Sequence, residues 1–152
     1  HLKELLAPLD YRVDLRPQKG QLLVFQTALK KSGDFPVAML DGEADLIPFL
    51  NGKILLGATH ENEAGWNLDE TTTAFEQLTA GARKFLAEPE KLLGTPFHYR
   101  VGTRAYTSDF APFFGPLNDR LIVASGLGSS GLTTGPYIGY LMADYLNTGI
   151  AK

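Results

Sequence analysis

Six residues near the end of the sequence have the spacing of a ligand-binding turn. Residues 126–131 read Gly-Leu-Gly-Ser-Ser-Gly, after an apolar run and before a segment with helical spacing. Glycines in this pattern let a backbone approach a pyrophosphate at a helix N-terminus. The full dinucleotide fingerprint also needs a second strand that ends in an acidic residue about 20 residues further on, and residues 146–152 offer neither. Two interpretations stay open: backbone N–H groups aimed at an electron-rich ligand edge, or tight packing of a strand on a helix.

Side chains for other kinds of site chemistry are scarce. The sequence has no cysteine, which excludes a thiolate zinc site, a cysteine nucleophile and a disulfide framework. None of its three histidines stands at a recognisable catalytic spacing from a serine and an acid, so a hydrolase triad is not supported. With a net charge of -3 and no run of more than two basic residues, the sequence lacks the footprint of a nucleic-acid binder. We predict no metal site and no nucleic-acid partner.

The composition is that of a globular domain. Of 152 residues, 44% are hydrophobic and 20% are charged, and no apolar run approaches the length of a bilayer span. No charged-then-apolar leader opens the sequence, which predicts that a secretory signal is absent. Because the chain has no disulfides, we expect a cytoplasmic location, with peripheral attachment to a membrane as the alternative.

Alternating apolar residues and turn residues predict the elements that would position these groups. Residues 1–9 are typical of a helix end or a linker, and a helix with acidic residues at its start is predicted over residues 71–86. The clearest hairpin is residues 46–57 around Asn51-Gly52. The remaining predictions are strands at residues 11–15, 21–28, 37–40, 97–106 and 120–125, a break at 16–20, a loop at 109–116 and a helix at 132–147. Together they predict an α+β fold with a largely antiparallel sheet, one crossing helix and a terminal strand and helix.

The segment before the glycine-rich turn carries the most specific pattern. Residues 101–116 read Val-Gly-Thr-Arg-Ala-Tyr-Thr-Ser-Asp-Phe-Ala-Pro-Phe-Phe-Gly-Pro. This resembles the G-x-R-P-x-T-x-D-x-x-P-x-I-G segment of the FAD-dependent D-amino-acid oxidase, glycine oxidase and sarcosine oxidase family. Four further segments resemble family motifs in the family's order: residues 16–21 its R-P-x-R-G-Q turn, residues 46–59 its hairpin, Glu61 and Trp66 its acid and aromatic, and residues 124–139 its terminal cofactor segment.

The resemblance implies a domain organisation and an activity. Residues 1–10 resemble the end of a FAD-domain segment or a linker, residues 11–116 the later part of the substrate-binding domain, and residues 117–152 the C-terminal strand, turn and helix of the FAD-binding domain. The implied parent enzyme oxidatively deaminates an amino acid or a secondary amine by hydride transfer to FAD, which dioxygen or an electron carrier then reoxidises. The family's N-terminal dinucleotide fingerprint is absent from these residues, so we expect the isolated chain to lack FAD and to be inactive.

The resemblance also implies site residues. Arg104 stands where the family binds the substrate carboxylate, a task that suits a guanidinium fork. His60 and Tyr106 are expected to line the substrate pocket, whereas no residue is implied as a certain catalytic group. Backbone contacts to the flavin are implied for Gly126, Leu127, Gly128, Ser129, Ser130, Gly131 and Leu132, and on resemblance alone Lys19 and Gln21 are placed near the cofactor.

Departures from the family pattern bear on the substrate. Leu46 replaces a pocket tyrosine that many relatives carry, Ala105 replaces the proline after the arginine, and residues 127–129 lack the family's histidine and larger polar side chains. These changes favour a less polar and roomier pocket, for an amine or a bulkier amino acid. Two other interpretations remain open: a non-catalytic domain that binds a small molecule or a protein, and self-association through uncovered sheet edges.

Overall fold

The computed structural model describes residues 2–40 and 43–149, and its main sheet is built around an 11-residue strand, β1 (Arg16–Gln26). Three more strands, β2 (Asp45–Pro48), β3 (Lys53–Gly57) and β4 (Phe97–Tyr106), complete a sheet with the order β2-β3-β1-β4. The β1–β3 and β2–β3 pairs are antiparallel. The predicted hairpin is confirmed: β2 pairs antiparallel with β3, and Asn51 and Gly52 at the turn have positive φ values of 61° and 80°, a conformation that asparagine and glycine tolerate best.

The crossing helix, α2 (Thr72–Phe85), packs through one stripe of its surface. Thr71 caps its N-terminus, since the Thr71 Oγ1 accepts the Ala74 N–H at 3.3 Å. At Gly81 an added Cβ would lie 2.6 Å from the Ala44 Cβ, so this helix needs a glycine at its closest approach. The core around the helix consists of Leu23, Phe25, Ala44, Leu56, Leu78, Ala82, Leu92 and Leu93. Burial of these apolar side chains is the main stabilisation of this part of the chain.

The remaining elements are shorter, apart from the last helix. They are α1 (Leu2–Leu6), α3 (Glu90–Leu93), the antiparallel pair β5 (Phe113–Asn118) and β6 (Leu121–Ser125), and α4 (Gly131–Thr148). The chain divides into two compact units: His1–Gln18 with Arg104–Lys152, and Lys19–Thr103. Within residues 2–40 and 43–149, no helix combines the length and the apolar character needed to cross a bilayer.

Several boundaries differ from the sequence-based predictions. Residues 11–15 were predicted as a strand, but they form no ladder. Their alternation reflects burial instead: Leu15 is buried, and the Tyr11 hydroxyl donates to the Leu117 carbonyl at 3.1 Å. The predicted break at residues 16–20 is wrong, because β1 runs through it with Pro17 close to its start, a position where a missing N–H is tolerated.

The predicted loop at residues 109–116 is wrong in its second half, where β5 begins at Phe113. Pro116 is accommodated because the pairing of β5 with β6 shifts register between Pro116 and Asn118. Of the predicted strand at residues 37–40, only Ala38 forms a bridge, to Leu46, and the Asp41-Gly42 turn lies outside the described residues. Helix α3 was not predicted, since four residues are too few for a periodic signal.

Candidate functional site

The glycine-rich segment forms a tight turn between β6 and α4. Gly126 has φ = 76°, and a Cβ there would lie 2.8 Å from the Thr107 Cγ2, so both its conformation and its surroundings require glycine. A 3-10 turn at Gly128–Ser130 then leads into α4, whose N-terminus has no side-chain cap from Ser130. Within the described residues β6 pairs antiparallel with β5 and forms no parallel β-α-β unit, which is the setting of a dinucleotide fingerprint.

The turn combines features of both interpretations that the sequence left open. Gly126 is buried and Leu127 bridges Tyr106, which is packing within the protein. Ser129, Ser130 and Leu132 are exposed, so the start of α4 can be reached by a ligand. An uncapped helix start attracts an electron-rich group through its N–H donors and its dipole. The start of α4 is therefore open to an electron-rich ligand edge, and the flavin contact expected of Gly126–Leu132 stays a prediction.

Arg104 and Tyr106 lie at the end of β4, which the sequence predicted. Arg104 is half-buried, whereas Tyr106 is buried and stacks on Phe110 with 5.5 Å between the ring centroids. The Tyr106 backbone forms an isolated antiparallel bridge with Leu127, so the end of β4 lies next to the glycine-rich turn. A role for Tyr106 in substrate binding stays a prediction, as does carboxylate binding by Arg104.

The loop after β4 is braced by two acidic side chains. The Asp109 Oδ1 accepts the Ala111 N–H at 3.1 Å, and the Asp14 Oδ2 accepts the Ser108 N–H at 3.3 Å. Hydrogen bonds from Thr107 and Ala111 lower the pKa of Asp109, and hydrogen bonds from Ser108 lower the pKa of Asp14, with a smaller opposing effect of desolvation. These bonds fix the loop that follows Arg104, around a small cavity of about 240 Å³.

His60 follows the end of β3 and its side chain is paired. The His60 Nδ1 lies 2.8 Å from the Glu43 Oε1, and the second oxygen of Glu43 accepts a hydrogen bond from the Gln77 amide on α2. The His60 and Glu43 side chains are 38% and 26% exposed, so His60 remains accessible to a ligand. Its role as a substrate contact stays a prediction.

We call one group of buried and half-buried polar side chains the Lys19 cluster. The resemblance placed only two of its members, Lys19 and Gln21, near the cofactor. Its members are Lys19, Gln21, Thr59, Glu61 and Thr71. The Lys19 side chain is 2% exposed, and its Nζ donates to the Asp69 carbonyl at 2.5 Å and lies 3.5 Å from the Glu61 Oε2. The sequence does carry a signal for this buried network: two polar residues, Lys19 and Gln21, stand at alternate positions directly before an apolar run.

Gln21 is the centre of the Lys19 cluster. Its side-chain amide donates to the Glu61 Oε1 and to the Thr71 Oγ1, both at 2.8 Å, and its Oε1 accepts the Thr71 N–H at 3.1 Å. Thr59 adds a hydroxyl donor to Glu61 at 2.6 Å. Burial raises the pKa of Glu61, but the hydrogen bonds from Thr59 and Gln21 and the charge of Lys19 outweigh it and hold that pKa below its ordinary value. The cluster therefore contains an ionised carboxylate whose partners all lie within the Lys19–Thr103 unit.

An apolar cavity of about 600 Å³ lies elsewhere in the Lys19–Thr103 unit. Leu46, Ile54, Leu86 and Leu92 are among its lining residues, and Glu88 and Lys91 supply the charged groups. Leu46, which the resemblance placed at a pocket position, lines this cavity, whereas Arg104, His60 and Tyr106 do not. Among the described residues, no group of three or more histidine, aspartate or glutamate side chains could hold a metal ion.

Comparison with known proteins places these features in a family. The model of the DAO family, described as FAD dependent oxidoreductase, matches residues 1–145. The sequence is 36% identical over 142 residues to the oxidoreductase YurR of Bacillus subtilis (strain 168), covering 92% of this chain and 38% of that protein. It is 32% identical over 147 residues to a glycine oxidase of Pseudomonas aeruginosa, covering 95% of this chain and 38% of that protein.

A solved structure agrees with the sequence relatives. The crystal structure of iminodiacetate oxidase (IdaA) from Chelativorans sp. BNC1 superposes with a TM-score of 0.85 at 29% identity, covering 98% of this chain and 40% of that one. The chain thus spans about two fifths of the length of these relatives. The matched motifs, the α+β architecture with antiparallel strand pairs and the family model agree, and the chain belongs to the DAO family of FAD-dependent oxidoreductases.

Proposed function

We propose that this chain is the C-terminal part of a flavoenzyme that oxidises an amino acid or a secondary amine. The chain belongs to a FAD-dependent family, and two relatives carry the names glycine oxidase and iminodiacetate oxidase. Glycine and iminodiacetate both have a nitrogen attached to a carbon that bears a carboxylate. A substrate of this class needs one cationic group for the carboxylate and contacts for the nitrogen.

The observation that carries the proposal is Arg104 at the end of β4. It is half-buried, and the loop that follows it is held by Asp14 and Asp109. A guanidinium that is partly removed from water and anchored on a strand gives a stronger and better-oriented carboxylate contact than a mobile surface arginine. We assign Arg104 the task of binding the substrate carboxylate, which fixes the carbon that is oxidised.

The turn at Gly126–Leu132 is proposed to contact the flavin. Bound FAD would supply the oxidising chemistry, because it accepts two electrons from the carbon next to the substrate nitrogen. The contribution of this chain would be electrostatic: N–H donors at the start of α4 would favour an electron-rich edge of the bound ring. No protein base is required once the substrate amine is neutral, so none is assigned.

The test is an anaerobic titration of the full-length flavoprotein followed by absorbance between about 300 and 550 nm, where oxidised flavin absorbs. Amino acids and secondary amines should bleach the flavin bands. Arg104→Lys should weaken bleaching by carboxylate-bearing substrates, because lysine cannot form the bidentate pair. Arg100→Lys on the same strand is the matched control, since Arg100 is exposed. A flavoprotein that no amine reduces would contradict the proposal.

The same measurement applied to residues 1–152 alone tests a second part of the proposal. The family's dinucleotide fingerprint is not among these residues, so we expect that flavin added in excess is lost on desalting. Retention of flavin by residues 1–152 would contradict this expectation and would mean that the turn at Gly126–Leu132 belongs to a self-sufficient site.

A further inference from the structure

The apolar cavity of the Lys19–Thr103 unit has the volume and the walls of a small-molecule site. Leu46 and Pro48 on β2 and Ile54 on β3 line it, and the leucine and isoleucine also pack against the apolar core. The segment after β1, the segment before β2 and the chain around α3 supply the other lining groups, most of which are apolar. Small-molecule sites are concave, mostly apolar and about 300–1,000 Å³ in volume. The volume here, about 600 Å³, lies in the middle of that range.

The segment before β2 is held in place on both sides of its lining residues Phe35 and Pro36. On one side, the hydroxyl of the buried Ser32 is tied to the turn of the β2–β3 hairpin, where it donates to a carbonyl at 2.5 Å and accepts an N–H at 2.8 Å. On the other side, Ala38 and Leu46 exchange two backbone hydrogen bonds of 3.0 and 2.9 Å. This wall is therefore fixed before a ligand arrives, and a preformed site loses less conformational entropy on binding.

Every polar side chain that lines the cavity already has a partner within the chain. The Thr27 hydroxyl donates to one backbone carbonyl at 2.8 Å, and the Thr95 hydroxyl donates to another at 2.7 Å. The Lys91 Nζ lies 2.6 Å from the Glu88 Oε2, and this pair is in contact with solvent, since the two side chains are 75% and 65% exposed. A charged ligand would lose hydration in the cavity and would meet charges that already neutralise each other, which is costly.

We propose that this cavity is a binding site for a neutral, apolar small molecule. The occupant is a small molecule because the apolar side chains enclose a volume, whereas a protein partner needs a broader face. It is neutral because Lys91 and Glu88 already pair with each other. The site therefore disfavours amino acids, which carry a carboxylate. This binding function goes beyond the flavin chemistry proposed above and does not rest on it.

The first test compares two fluorescent probes that share one ring skeleton, each titrated into residues 1–152. N-phenyl-1-naphthylamine is neutral, and 8-anilino-1-naphthalenesulfonate is the same molecule with one added sulfonate. We expect the neutral probe to bind saturably, with one molecule for each chain. Because Lys91 is already paired, the neutral probe should bind at least about tenfold more tightly than the anionic one. Equal affinities, or a preference for the sulfonate, would overturn the inference.

Two substitutions that fill the cavity test where the probe binds. Leu46→Phe and Ala38→Leu add carbon atoms at two different lining positions, and each should weaken binding of the neutral probe at least about fivefold, because a close-packed volume cannot hold both groups. Leu68→Phe is the matched control: Leu68 is 55% exposed and does not line the cavity, so the affinity of that variant should be unchanged. Urea unfolding identifies a variant that fails to fold, and the other variant then decides. Unchanged affinity in a folded filling variant is incompatible with the proposed site.

The last test uses the full-length flavoprotein, with calorimetry in place of fluorescence because flavin also absorbs light. The neutral probe should bind with an affinity within about threefold of that measured for residues 1–152, as a site that is already formed and open requires. Loss of binding in the full-length protein would refute the inference, because the rest of that protein would then occupy the cavity. Sedimentation gives the same check for a second copy: a dimer of residues 1–152 that the probe dissociates would likewise contradict the proposal.

Discussion

Replacing Lys19 by methionine should destabilise the chain severely, because Lys19 is a fully buried cation with few partners. Its side chain is 2% exposed, and it donates a charge-assisted hydrogen bond of 2.5 Å to the Asp69 carbonyl. Losing such a bond costs roughly 1.5–3 kcal/mol. The ion pair with Glu61 adds about 1 kcal/mol at most, since the Glu61 side chain is 28% exposed and solvent screens it.

We therefore expect Lys19→Met to lower the free energy of unfolding by about 3 kcal/mol. Methionine keeps most of the apolar stem in place, so the loss reports the charge and its hydrogen bonds rather than a cavity. Urea unfolding followed by circular dichroism gives the difference. Lys53→Met on the exposed side of β3 is the matched control and should stay within about 0.5 kcal/mol. A Lys19→Met loss below about 1 kcal/mol would refute this reasoning, because the cost of removing the ammonium group from water would then cancel the gain from its bonds.

Three other predictions concern single side chains. The pKa of Glu61 is lower in the folded chain than its ordinary 4.5, so Glu61 contributes stability above pH 4.5 that is lost as the pH falls through the folded pKa. In Glu61→Gln the free energy of unfolding should therefore fall less steeply with decreasing pH in that range. An identical slope in both chains would contradict this assignment. Gly126→Ala should lower the free energy of unfolding by about 1–3 kcal/mol, since its φ is 76° and an added Cβ would meet Thr107. Gly139→Ala is the control: an added Cβ meets nothing within 4 Å, so thermal melting should show an unchanged or higher melting temperature. Thr71→Ala removes the hydroxyl that caps α2 and accepts from Gln21, so it should lower the free energy of unfolding by about 1–3 kcal/mol. Thr71→Ser should restore most of that loss in urea unfolding, and failure of serine to do so would assign the effect to the Thr71 methyl group.

The elements that depend on local patterns were predicted from the sequence. The hairpin at Asn51-Gly52, the helix after Thr71 and the strand that carries Arg104 each have a short-range cause: turn chemistry, a cap with a helical apolar stripe, and alternation. The α+β architecture follows from their order. In these elements the turn residues, the capping residues and the apolar pattern all favour the same structure.

What the sequence could not provide depends on distant partners. Residues 16–20 contain proline and glycine and were predicted as a break, yet pairing with other strands makes them part of β1. Lys19 lies in a strand rather than on the surface because Glu61 and the Asp69 carbonyl, more than 40 residues away, receive its ammonium group. The Glu43–His60 pair likewise joins residues 17 positions apart. Such contacts are set by the tertiary structure, and no local period reports them.

The most direct test of the central claim compares a carboxylate-bearing amine with the corresponding amine that lacks the carboxylate, in the full-length flavoprotein. We expect Arg104→Lys to lower kcat/KM for the carboxylate substrate by about 10- to 100-fold, the equivalent of one charge-assisted hydrogen bond. The same substitution should change kcat/KM for the amine without a carboxylate little, and Arg100→Lys should affect neither substrate. Equal losses for both substrates would contradict the account, because Arg104 would then support the structure rather than bind the carboxylate.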